Sequence, residues 1–168
     1  MHRTIKILVK RLKLKKHKEG GFFCETYRSQ NKIKKSNLPK RFSGSRNFST
    51  AIYFLLRGDD ISAFHKLHAD EIWHYYLGSP LIIYTIDSKG KLRKTILGIH
   101  YSKGEVFQTT IKSGLWFAAE VKEKNVFTLA GCTVSPGFDY RDFELGEKNK
   151  LIRKYPQHKK LIARLSYE

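Results

Sequence analysis

The chain has 168 residues, of which 40% are hydrophobic and 13% aromatic, and it carries a formal net charge of +18. This composition excludes a disordered basic tail and indicates one folded domain over residues 1–168. No apolar run approaches the ~20 residues of a membrane span, and the N-terminus lacks the apolar core of a secretory signal. We therefore expect a cytoplasmic protein, with Cys24 and Cys132 as free, mostly buried thiols.

The basic residues cluster in three segments, 1–18, 31–41 and 148–160, whereas 47–86 is nearly charge-balanced. Such a charge favours anionic partners in general. However, no helix-turn-helix, zinc-finger or aromatic RNA-binding signature accompanies the clusters. We interpret them as solvated surface, and nucleic acid is not the expected partner.

The first element is an amphipathic helix, predicted over residues 1–16. Its apolar positions Ile5, Leu8, Val9 and Leu12 have the spacing of one helical face. A basic amphipathic helix can lie on a membrane. The favoured interpretation is a helix docked on its own domain with its lysines outward, and no membrane partner is expected.

A series of short strands with polar or glycine-rich turns follows, over about residues 20–143. Gly90 can adopt the positive φ of a hairpin loop. A helical segment broken at Pro156 is predicted for about 146–166. This order favours an antiparallel sandwich or barrel with a short helix at each end. The predicted strands are 22–29, 48–56, 62–67, 71–78, 81–87, 91–98, 105–112, 115–121 and 125–134.

Three segments, "KEGGFFCETYRS", "FHKLHADEIWHYYLGSPL" and "TLAGCTVSPGFDYRDFEL", resemble the cupin-5 (DUF985) family of the RmlC-like cupin superfamily. The likeness runs over about residues 17–165. It implies a mainly β fold, the double-stranded β-helix or jelly-roll barrel, often paired as a homodimer, and it brings no established reaction. The chain departs from the family at Cys24, where arginine is usual, and at Lys18, where proline is usual. Apolar strands at 49–56 and 81–86 also favour a dimer, because one face of a small barrel does not need so much apolar surface.

The general cupin metal motifs are incomplete. His65, Glu71 and Gly78 match the first motif, whereas Leu67 and Phe117 stand where two histidines would be. A metal site needs about three converging protein ligands. We therefore predict no metal and no cofactor; a divalent ion held by His65 and Glu71 is the less favoured alternative.

The predicted interior still has polar groups among aromatic rings. Strand alternation puts Glu71, Trp73 and Tyr75 on one face. Aromatic rings around a few polar groups suit a flat or sugar-like small molecule, although the rings could instead only fill the core. The predicted ligand-binding residues are Glu25, Tyr27, Glu71, Trp73, Gln108 and Phe117.

Two functions of different class follow. The first is a metal-independent sugar epimerase or isomerase with His65 as base and Tyr75 or Tyr27 as acid, since imidazole titrates near neutrality. The second is a non-catalytic cupin that binds a small ligand, with the polar groups of the barrel serving recognition. Apart from either function, His65 could be a core histidine whose hydrogen bonds are satisfied. Burial is expected to raise the pKa of Glu71 unless a cation pairs with it. A nucleic-acid-associated basic protein is the third and weakest alternative.

Overall fold

Two β-sheets packed face to face form the protein, seen in a computed structural model that describes residues 3–167. The strands are β1 (Lys15–Lys16), β2 (Phe22–Arg28), β3 (Lys32–Ile33), β4 (Arg46–Asn47), β5 (Thr50–Arg57), β6 (Ile61–Leu67), β7 (Asp70–Gly78), β8 (Leu81–Ile86), β9 (Leu92–Leu97), β10 (Gln108–Ile111), β11 (Trp116–Val121), β12 (Phe127–Ser135) and β13 (Phe143–Leu145). The helices are α1 (Arg3–Arg11), α2 (Lys148–Lys154) and α3 (Lys159–Arg164).

The larger sheet has the strand order β1-β2-β5-β12-β7-β10, and the facing sheet has the order β13-β6-β11-β8-β9. Their strand pairs are antiparallel. Strands β3 and β4 form a separate small pair inside the segment predicted to be a loop. This arrangement is the predicted jelly roll, and the fold class is confirmed.

Strand β6 is buried on both faces because each face has its own cover. Phe64 points outward into a cluster that includes Leu151, Ile162 and Trp116, so the C-terminal helices cover this side of the sheet. His65, the next residue, points inward between the sheets. The predicted helical segment is confirmed, with a break at Pro156 between α2 and α3.

The N-terminal helix docks on its own domain, as predicted. Ile5 is buried against Leu55 and Leu129 on the outer face of the larger sheet. The helix is shorter than expected, however. It ends at Arg11, Lys13 has a left-handed φ of 52°, and β1 then pairs with β2. Residues 1–2 of the predicted helix lie outside the described residues.

The apolar strands that favoured a dimer are covered by the chain's own helices. Leu55 of β5 packs under α1, and Ile86 of β8 packs under the C-terminal helices. The surface argument for a dimer therefore no longer holds, and the dimer remains a prediction from the family resemblance alone. In residues 3–167, none of the helices has the length and apolar character needed to cross a membrane.

Candidate functional site

A cavity of about 530 Å³ lies between the two sheets. Its deep wall carries the polar side chains Glu19, His65, Glu71 and Cys132, all buried. The exposed lining residues Lys15, Glu25 and Arg28 mark its mouth. Cavities of this size hold small organic ligands.

His65 has both ring nitrogens engaged. Its Nδ1 lies 2.7 Å from the carbonyl oxygen of Ala63. Because a carbonyl oxygen only accepts, Nδ1 carries a hydrogen. The other nitrogen, Nε2, lies 3.1 Å from Oε2 of Glu19. Two bare lone pairs would repel at this distance, so one proton lies between His65 and Glu19.

Glu19 reaches this position from the turn that precedes β2. The next residue, Gly20, has a φ of 113°, and a Cβ on it would lie 2.0 Å from the carbonyl oxygen of Ile61. Glycine therefore permits the close approach of this turn to β6. The Ala63 amide donates to the Glu19 carbonyl (2.8 Å), and the Ser62 hydroxyl donates to Oε1 (2.7 Å).

The pKa values of Glu19 and His65 must be considered together. Burial raises the pKa of Glu19. The charge of His65, the contact with His17 and the Ser62 hydrogen bond together lower it by more than burial raises it, so the pKa of Glu19 is lowered overall. Burial lowers the pKa of His65, and Glu19 and Ala63 offset this only in part. The 3.1 Å contact between Nε2 and Oε2 holds one proton between the two groups, and that proton belongs to the pair rather than to either residue alone.

Glu71 faces this pair from the other sheet, because it lies on β7 whereas His65 lies on β6. Burial raises the pKa of Glu71 to about 8, and the negative charge of Glu19 adds to the effect. The Trp73 indole donates to Oε2 (3.0 Å). Glu71 is therefore a neutral carboxylic acid at pH 7, as expected from its burial. Burial also raises the pKa of the Cys132 thiol, which stays neutral.

Aromatic rings surround the imidazole of His17, which also lines the cavity. Their centroids lie between 4.7 and 6.4 Å from the imidazole centroid. The Nδ1 atom of His17 lies 3.4 Å from both the amide nitrogen and Oε2 of Glu19, and it can bond only one of them. The rings are Phe23, Phe54, Phe138, Tyr140 and Phe143.

Three of the predicted site residues line the cavity: His65 and Glu71 deep inside, and Glu25 at the mouth. Trp73 and Phe117 are buried behind the wall and support it. Trp73 holds Glu71 by its hydrogen bond, and the Phe117 ring centroid lies 4.0 Å from that of His65.

The other three predicted residues do not line the cavity. Tyr27 is 55% exposed, because the register shifts between Glu25 and Tyr27 and turns Arg28 toward the cavity instead. Gln108 is exposed on the edge strand β10. The Tyr75 hydroxyl donates to the carbonyl oxygen of Gly78, at the far end of β7.

The residues that sequence reasoning missed are Glu19, His17 and Arg28. Glu19 and His17 lie in a turn, where strand alternation predicts no direction. Their only signal was their place in or beside the segment "KEGGFF" that carries the family resemblance. Arg28 was missed because the bulge in β2 cannot be read from alternation.

The residues present do not fit a divalent metal ion. Neither ring nitrogen of His65 is free, because Nδ1 bonds to the Ala63 carbonyl and Nε2 contacts Glu19. Across residues 3–167, no group of three or more His, Cys, Asp or Glu side chains is placed to hold a metal ion. We therefore derive no chemical step from a metal.

A jelly roll of two antiparallel sheets with a ligand-sized cavity between them is the architecture of the cupins. The chain belongs to the Cupin_5 family, described as "Cupin superfamily (DUF985)", whose model matches residues 6–146.

Two relatives resemble this chain over most of its length. The uncharacterized protein YML079W of Saccharomyces cerevisiae is 32% identical over 151 residues, which cover 83% of this chain and 73% of the yeast protein. The crystal structure of protein SO0799 from Shewanella oneidensis is 38% identical, with a TM-score of 0.88 over 99% of each chain.

A more distant structure, oxalate decarboxylase from Bacillus subtilis, shares only the fold. It is 16% identical, with a TM-score of 0.53, over 89% of this chain and 36% of the decarboxylase. At this identity the likeness carries no reaction to this chain.

Proposed function

We propose that the cavity catalyses proton transfer at a carbon next to a carbonyl, as a metal-independent epimerase or isomerase of a small, sugar-like substrate. The observation that carries the proposal is that two buried carboxyl groups line the cavity from opposite sides, with Glu19 held against β6 and Glu71 on β7 of the facing sheet. Glu71 is neutral at pH 7, and Glu19 has a lowered pKa beside His65. Pairs of titratable groups whose pKa values are pushed apart are typical of acid–base sites.

Glu19 is the base in this proposal, and His65 is its positioning partner. In this proposal the shared proton lies on Nε2 of His65, and the carboxylate of Glu19, which lines the cavity, is the proton acceptor. Neither nitrogen of His65 is free to reach a substrate, since one bonds to Ala63 and the other to Glu19. This differs from the expectation that His65 itself removes the proton.

In this proposal Glu71 takes the acid role for which the sequence offered Tyr75 or Tyr27. The Tyr75 hydroxyl is bonded to the Gly78 carbonyl, outside the cavity. Glu71 carries a proton inside it. In the step we propose, Glu19 accepts the proton of the substrate carbon, and Glu71 delivers its own proton to the opposite face of that carbon. The carbon is inverted, and proton exchange with solvent restores both carboxyl groups.

The two sheets support this geometry. Glu19 is held against β6, whereas Glu71 projects from β7 of the facing sheet. A substrate between the sheets would therefore meet the base on one side and the acid on the other. The volume of about 530 Å³ is large enough for a substrate of monosaccharide size or larger.

Deuterium exchange tests the proposal without knowledge of the natural substrate. Aldoses, ketoses and 2-hydroxy ketones are incubated with the protein in D2O, and proton NMR follows loss of the signal next to the carbonyl. We expect exchange with at least one compound, slowed by about a hundredfold or more in Glu71→Gln and in Glu19→Gln. The exposed Glu123→Gln, a matched control, should leave the rate unchanged.

The second candidate is a non-catalytic cupin that binds a small ligand. The aromatic rings around His17 favour it, because they supply a binding surface that needs no chemistry. Compounds that bind without any exchange would support this candidate and contradict the enzyme proposal. Exchange that persists in Glu71→Gln would contradict the role of Glu71.

A further inference from the structure

The charges at the mouth of the cavity are unevenly paired. Arg28 donates through Nε and a terminal nitrogen to both oxygens of Glu25, at 2.9 and 2.7 Å. Its other terminal nitrogen donates to Asn47 and to the carbonyl oxygen of Phe138. Arg28 is therefore neutralised by Glu25 and held by its neighbours.

Asp139, which also lines the cavity, is paired in the same way. It accepts from Nε and a terminal nitrogen of Arg141, at 2.9 and 2.6 Å. This hydrogen bonding holds the pKa of Asp139 well below its usual range. These two ion pairs leave no net charge at their part of the mouth.

Two lysines differ from these arginines. The Lys15 ammonium lies 5.3 Å from the centroid of the Phe23 ring, and the Lys18 ammonium lies 4.5 Å from that of Tyr140. Both rings line the cavity, and so does Lys15, whereas Lys18 lies over the Tyr140 ring beside the mouth and lines a neighbouring shallow pocket. Within residues 3–167, neither lysine has a carboxylate partner within 4.0 Å.

The alternation of β1 explains why Lys15 faces the cavity. Lys15 pairs with Phe23 and Lys16 pairs with Phe22. Phe23 lines the cavity, whereas Phe22 packs in the cluster under α1. Adjacent side chains of a strand point to opposite faces, so Lys15 lies on the cavity side and Lys16 does not.

We propose that Lys15 and Lys18 form an oxyanion clamp, so that the ligand carries a phosphate or carboxylate group at the mouth while its uncharged part reaches the deep wall. This inference rests on the proposed small-molecule function and names its ligand class. Cation–π contacts hold both ammonium groups over rings of the cavity wall. The deep wall is neutral overall, since Glu71 is protonated and His65 shares its proton with Glu19.

Binding of phenyl phosphate, measured by isothermal titration calorimetry at low salt, tests the clamp. Its ring suits the aromatic wall and its phosphate suits the lysines. Phenylacetate carries a carboxylate instead, and benzyl alcohol carries no charge. We expect the wild-type protein to bind phenyl phosphate at least tenfold more tightly than benzyl alcohol.

The double variant Lys15→Gln with Lys18→Gln should weaken phenyl phosphate binding by about tenfold, since each exposed ion pair contributes a few-fold at most. The matched control, Lys10→Gln with Lys16→Gln, removes the same charge from the outer surface and should change binding less than twofold. A loss of phenyl phosphate affinity alone assigns the clamp to phosphate esters. An equal loss for phenylacetate extends it to carboxylates.

Three results would overturn the clamp: equal losses in both double variants, equal wild-type affinities for phenyl phosphate and benzyl alcohol, or no binding of phenyl phosphate at millimolar concentration. This test is separate from that of catalysis. If Glu71→Gln stops deuterium exchange while the lysines have no effect on binding, only the clamp fails. If the lysines control binding and no compound exchanges, only the enzyme proposal fails.

Discussion

Replacing Glu71 with glutamine is predicted to change how the stability of the protein depends on pH. The pKa of Glu71 is raised from 4.5 to about 8 in the folded state. Below pH 4.5 the carboxyl is protonated in both the folded and the unfolded chain, so its contribution to stability is fully present. As the pH rises toward 8, the unfolded chain loses a proton that the folded chain keeps, and this contribution is lost.

The size of the effect follows from linkage between proton binding and folding. Within this window the free energy of unfolding falls by about 1.4 kcal/mol per pH unit because of Glu71. Glutamine does not titrate, and its oxygen can still accept the hydrogen bond of Trp73. Between pH 5 and pH 8 the stability of Glu71→Gln relative to wild type should therefore rise by on the order of 4 kcal/mol.

Urea denaturation at pH 5, 6, 7 and 8, followed by tryptophan fluorescence, measures this difference. Trp73 and Trp116 are both buried and report on unfolding. Glu123→Gln, an exposed control, should stay parallel to wild type across the series. A difference between Glu71→Gln and wild type that stays constant from pH 5 to 8 would refute the raised pKa.

Three further predictions concern the rest of the fold. In the native protein a thiol reagent should modify the partly exposed Cys24 and leave the buried Cys132 unmodified until urea is added. Rapid reaction at both thiols would contradict the burial of Cys132. Arg46→Ala should destabilise the protein by about 3–5 kcal/mol, because it leaves the buried Asp142 without the arginine of its ion pair. The double variant with Asp142→Ala should recover part of this loss of stability, and no recovery would exclude the unpaired carboxylate as the cause. Ile5→Ala should cost about 2–5 kcal/mol if α1 is docked, and a negligible cost in a thermal melt would show that it is not.

Much of this architecture was predictable because its patterns are regular. Strand β7 alternates without interruption at its start, so Glu71 and Trp73 face inward as expected. The hairpin between β8 and β9 was predictable because Gly90 supplies the left-handed φ of 79°. The break at Pro156 was predictable because proline cannot continue a helix.

The candidate site was less predictable because it depends on irregular backbone. The bulge in β2 places Arg28 on the cavity side, where regular alternation would place Tyr27. The pattern of polar and apolar residues does not reveal a bulge of this kind. Glu19 comes from a turn and approaches β6 only through tertiary contacts. Our proposal gives His65 a positioning role instead of the role of base for the same reason, since its partner Glu19 was not visible in the sequence.

Carbon NMR of the glutamate side-chain carboxyl groups measures whether Glu71 is protonated at neutral pH, on which the proposed acid step depends. Titration of the wild-type protein and of Glu71→Gln between pH 3 and 10 assigns the Glu71 signal by its absence from the variant. We predict that this signal titrates near pH 8. A Glu71 signal that titrates near 4.5, like an ordinary glutamate, would show that Glu71 is ionised at neutral pH and does not act as the acid.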